Sequence, residues 1–96
     1  MDKLKRFEEI TKEMVFLYEA KNEDYGDSFG KSCDEWGLVV GAIRLGDKYN
    51  RLCSLIKGKE AKVEDEPLID TLTDMANFAI MLRMEIEKRE RKQNAD

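Results

Sequence analysis

Lys48 and Arg51 are the side chains in this 96-residue sequence best suited to hold an anion. With Arg44 and Asp47 they fall within about a 100° arc of one helix, because an α-helix turns about 100° per residue. On a later helix Asp70, Asp74 and Asn77 line up within about 60°, in the middle of an otherwise apolar run. Polar groups in such a run are costly to bury unless they are paired. Either Lys48 and Arg51 form salt bridges to Asp70 and Asp74, or the two sets converge on a ligand. Desolvation cancels much of what a buried ion pair contributes to stability, which favours the ligand.

Upstream, Lys21, Asp24, Tyr25, Gly26 and Phe29 combine charge with two ring faces, suited to a base and its phosphates, and Trp36 follows. Each aromatic taken alone is more often a core plug than a stacking platform.

The chain contains no histidine. Ser-His-Asp and Cys-His catalysis and every His-ligated metal site are therefore excluded. A metal would have to be held by carboxylates, which selects Mg²⁺, Mn²⁺ or Ca²⁺. Cys33 and Cys53 lack the close spacing of a metal or redox motif and read as reduced thiols of a cytoplasmic protein. The formal net charge of −4 argues against general binding to nucleic acid or anionic membrane. No apolar run is long enough for a membrane span, and the N-terminal residues lead straight into an amphipathic pattern rather than a signal peptide.

Stepping to the elements, the length suits a single domain over residues 1–96. Hydrophobic periodicity predicts an all-α, three-helix chain. The first helix covers residues 2–20, with Leu4, Phe7, Ile10, Met14, Leu17 and Tyr18 as its stripe. Residues 21–31 are polar, hold two glycines and read as a loop. Ser32-Cys33-Asp34-Glu35 has the form of a capping box, opening a second helix over residues 32–57 whose stripe is Leu38, Ala42, Leu45, Tyr49, Leu52 and Ile56. Gly37, Gly41 and Gly46 within it mark close helix contact, a bend, or merely tolerated small residues. A charged loop leads to Pro67, suited to a first helical turn, and a third helix runs to about residue 91.

Twelve apolar residues between Leu68 and Ile86 occupy more than one face of that third helix. A three-helix monomer would leave much of this surface in water. A homodimer or higher homo-oligomer forming a larger helical bundle is expected, with Val39, Met75, Phe78, Met81 and Leu82 facing the partner.

With these residues in view, the chain resembles a phage-associated family described as the first nucleotide-modification-associated domain. The resemblance rests on Lys21-x-x-Asp24-Tyr25-Gly26, then Asp47-Lys48-x-x-Arg51-Leu52, then Asp70-Thr71-Leu72-x-Asp74-Met75-Ala76-Asn77, in one order over roughly residues 20–85. It implies phage nucleotide metabolism in a host cytoplasm and a nucleotide-type small molecule as partner. Lys21, Asp24, Tyr25, Gly26, Arg44, Lys48, Arg51 and Asn77 are the expected ligand contacts.

A more distant similarity is to the all-α MazG-like nucleoside triphosphate pyrophosphohydrolases, which hold Mg²⁺ with E-E-x-x-E and E-x-x-D motifs. That similarity implies Mg²⁺ at Asp70 and Asp74, with Asp47 as a third carboxylate. The sequence departs from the pattern at Asp47-Lys48-Tyr49-Asn50-Arg51, where two of three ligand positions are cationic. Such charges repel Mg²⁺ and attract phosphate directly. Glu9 and Glu13 could offer replacement carboxylates on the first helix, but such a pair more often forms its solvated face. Three readings follow: a non-catalytic nucleotide binder that sequesters or delivers a nucleotide, a Mg²⁺-dependent pyrophosphohydrolase, and a helical protein-interaction module. The first is preferred.

Overall fold

A computed structural model describes residues 2–58 and 66–95, and among them every secondary-structure element is a helix. Four helices follow in order: α1 (Lys3–Tyr25), α2 (Ser28–Trp36), α3 (Val39–Gly58) and α4 (Glu66–Ala95). The expected count of three is therefore corrected to four. The charged loop read before Pro67 lies outside the described residues.

The correction arises at two corners. The polar stretch after residue 20 does not unwind; α1 continues through it to Tyr25 and ends on Gly26 in the left-handed region (φ 57°), whose N–H donates to the Asn22 carbonyl. Glycine adopts that conformation without a Cβ penalty. Asp27 follows with φ 57° as well and caps α2, its carboxylate accepting from the Gly30 N–H at 3.3 Å. Asp tolerates the left-handed region better than most residues. Helix α2 thus begins at Ser28, and Ser32, read as a cap, lies inside it. The expected helix over residues 32–57 is broken at Gly37, with φ 91° and ψ 174°, a conformation that essentially only glycine adopts.

Helices α3 and α4 form the main packed pair, α2 rests on both, and α1 touches α4. Gly41 makes the α3–α4 approach close: it is buried, and a Cβ there would overlap the Leu82 side chain. Phe29 of α2 meets Phe78 of α4 with ring centroids 5.7 Å apart. At the far end of α2, Arg89 donates to the Cys33 carbonyl at 2.6 Å, a cation placed where a helix C-terminus carries partial negative charge. Lys88 stands 3.0 Å from Glu85 and 3.2 Å from Asp34.

The core is small. Among the described residues its buried apolar side chains are Met14, Phe29 and Cys33, of which Cys33 is fully enclosed. The expected α1 stripe is exposed over its first half, Leu4 and Phe7 at 68% each, and Tyr49 and Ile56 of the expected α3 stripe are exposed too. Conversely, Phe78, Met81 and Leu82, expected against a partner chain, are engaged within this one. No helix among the described residues is long and apolar enough to cross a membrane.

Candidate functional site

Asp74 is the centre of the candidate site. It sits on α4 among apolar neighbours, its side chain 21% exposed, and both carboxylate oxygens are bonded to lysines. Lys21 Nζ of α1 lies 3.1 Å from Oδ1, and Lys48 Nζ of α3 lies 3.1 Å from Oδ2. Burial by itself would raise the Asp74 pKa; hydrogen bonds from Lys48 and Lys21 outweigh it and hold the carboxyl below its ordinary range. One carboxylate thereby ties three helices together.

Around this pair opens a cleft of about 400 Å³. Helix α1 contributes Tyr18, Lys21, Asn22 and Tyr25 to its wall. Ser28, Phe29 and Ser32 come from the first two turns of α2, just past the Asp27 cap. Arg44 and Lys48, four residues apart on α3, and Asp74, Asn77, Phe78 and Met81 on α4 complete it. The wall holds three cations and one carboxylate, so its formal charge is positive in a chain whose net charge is −4. Such a wall attracts anions. Rings, amides and hydroxyls beside those cations add a surface suited to a planar, hydrogen-bonding group.

Six of the eleven residues expected as ligand or metal contacts therefore share this wall, Lys21, Tyr25, Arg44, Lys48, Asp74 and Asn77, and Phe29, read beside them in the sequence, joins them. The other five do not line it. Arg51 and Asp47 are exposed on α3, rotated by about 60° from the Arg44–Lys48 line. Asp70 is exposed one turn before Asp74, Asp24 is exposed in the last turn of α1, and Gly26 serves as the helix cap. Among the described residues no three His, Cys, Asp or Glu side chains converge as a metal-binding group.

Sequence reasoning missed Tyr18, Asn22, Ser28, Ser32, Phe78 and Met81. Tyr18, Phe78 and Met81 carry the apolar periodicity of core residues. Ser28 and Ser32, one turn apart, become a recognisable pair only once the helix is known to start at residue 28. A second polar group, Glu85 with Lys88 and Arg89, also went unrecognised; Glu85 is buried to 9% exposure.

A family profile aligns with residues 21–86, beginning at the first lysine on Asp74 and ending just beyond the α3–α4 packing. The chain belongs to the nucleotide modification associated domain 1 family. The profile of the nucleotide modification associated domain 1 family takes in every charged cleft residue and leaves out Tyr18 and most of α1. Comparison with curated proteins and with solved structures returned no match.

Proposed function

We propose that the cleft binds a small nucleotide-type ligand, with Lys21, Arg44 and Lys48 receiving its phosphate and Tyr18, Tyr25, Asn22 and Asn77 receiving its base or sugar. The observation that carries this reading is the convergence of Lys21 and Lys48 on one carboxylate, with Arg44 on the same wall, in an aromatic-lined cleft. Lysine and arginine hold phosphate through charge-assisted hydrogen bonds, and a cleft of about 400 Å³ lies in the range that encloses small ligands. Family membership supports the nucleotide class of the ligand. The protein then acts by holding the ligand, either sequestering a nucleotide or delivering one to another enzyme, as expected for an accessory of phage nucleotide metabolism.

The donor set weighs against a Mg²⁺ ion held by the protein alone. Among the described residues Asp74 is the single carboxylate on the cleft wall, and two ammonium groups already bond it. Magnesium at such a place would arrive with the phosphates. Hydrolysis through Asp47, Asp70 and Asp74 is therefore the second reading, and a purely structural polar face is the third.

The test is a thermal-shift screen of deoxynucleotides, ribonucleotides and cyclic nucleotides, with and without Mg²⁺, followed by product analysis. Stabilisation without metal, lost in Lys48→Ala and Arg44→Ala, is the expected result. Turnover only with metal would establish the hydrolase, and no response to any nucleotide at millimolar concentration would overturn nucleotide binding.

A further inference from the structure

The side of the α3–α4 pair away from the cleft is apolar and bare. On α3, Val39, Ala42, Gly46, Tyr49, Cys53 and Ile56 follow alternating steps of three and four residues, the spacing of a helix-packing seam. Val39, Tyr49 and Ile56 are each more than half exposed. On α4, Ile69, Leu72, Ala76 and Ile80 share one face, and Ile69 and Ile80 are exposed to 55% and 50%. On both helices these stripes are centred more than about 90° round from the cleft residues, and none of their positions is charged.

We propose that this face docks a second copy of the same chain, helix pair against helix pair. The surface area supports that occupant. The chain exposes 7791 Å², whereas a folded monomer of 11.2 kDa is expected to expose about 5,700 Å². The difference, about 2,000 Å² per chain, is shared with the exposed first half of α1 and still leaves room for the roughly 1,000 Å² or more that each partner of an obligate homodimer buries. The radius of gyration, 15.7 Å, likewise exceeds the about 12.5 Å of a compact chain this long. An uncharged stripe is self-complementary, as a two-fold interface requires. Ala42 and Gly46 leave room near its middle, and among the described residues no side chain fills the space beside Gly46. Paired in this way, α3 and α4 of two copies form a four-helix core, which the single chain lacks.

Sedimentation equilibrium of the full chain at micromolar concentration gives the first measurement, with twice 11.2 kDa expected. Hydroxyl-radical footprinting of the unaltered chain gives the second: Tyr49 should be oxidised several-fold more slowly than Tyr25, although the two are exposed to 57% and 68% in one chain. Ile80→Glu should restore the single-chain mass, while Phe16→Glu on α1 should leave it doubled. A single-chain mass for the unaltered protein, as expected if a different protein covers the face, overturns the proposal. So does a doubled mass with Tyr49 as reactive as Tyr25. Should Ile80→Glu fail to fold, the footprint of the unaltered chain decides.

Discussion

Lys48 and Asp74 meet across the α3–α4 interface at 3.1 Å, and Lys21 closes on the second oxygen of the same carboxylate at 3.1 Å. Asp74 thus occupies the position that a phosphate oxygen would take against these two cations. A ligand held by Lys21 and Lys48 has to compete with it.

Asp74→Asn should strengthen nucleotide binding for that reason. The amide keeps the shape and releases both ammonium groups, with a gain of about 1 kcal/mol, or about fivefold in affinity, the lysines being partly solvated. Titration calorimetry with the best ligand from the thermal-shift screen measures it. Weaker binding would place Asp74 among the groups that contact ligand or metal.

The same ion pairs set an acid-range dependence of stability. Asp74 titrates lower in the folded chain than when unfolded, so the unfolded state takes up protons first as pH falls. The stabilisation is complete above about pH 4, the ordinary aspartate value, and is lost as pH drops through the lower folded value. Urea denaturation between pH 6 and pH 3 should show a shallower decline for Asp74→Asn than for the unaltered chain.

Arg89 should matter more than its place near the end of α4 suggests. It donates to the Cys33 carbonyl at 2.6 Å and lies 3.8 Å from the buried Glu85. Arg89→Met leaves Glu85 with Lys88 alone and the α2 terminus without its cation, at a cost of about 2 kcal/mol in urea denaturation. A change below about 0.5 kcal/mol would show that this contact is not maintained in solution.

Gly41→Ala should destabilise by about 1–3 kcal/mol through overpacking, although alanine is the better helix former by about 1 kcal/mol. The added methyl meets Leu82. Gly41→Ala combined with Leu82→Ala should then cost less than the two single changes added together. Strict additivity would mean that the two helices stand further apart than the structure has them.

The helical class and the opening of α4 beside Pro67 were legible because they rest on local signals, periodicity and proline placement. So was the partnership of one cation from α3 with one acid from α4, since spacing alone put Lys48 and Asp74 on facing surfaces. The corners were not. Lys21 to Tyr25 reads as loop by polarity yet stays helical, because Gly26 supplies a left-handed cap only after that turn. Ser32 and Glu35 match a capping box, but Asp27 caps first. Glu85 and Arg89 look like part of a solvated charged tail, and only the position of the α2 terminus makes them partners. Which of Arg44 and Arg51 faces the cleft depended on helix rotation, to which a one-dimensional pattern is nearly blind.

The two-residue corner at Gly26 and Asp27 also has a mechanical meaning. Both residues sit at φ 57°, so α1 meets α2 through a two-residue corner, and a rotation of α1 about that point would act as a lever. Along a straight helix Lys21 lies about 7 Å from the pivot and Phe7 about 28 Å. Any rotation that carries Lys21 through 1 Å therefore carries Phe7 through about 4 Å. A spectroscopic label near the start of α1 would report small changes in cleft width at roughly fourfold gain, without touching the cleft.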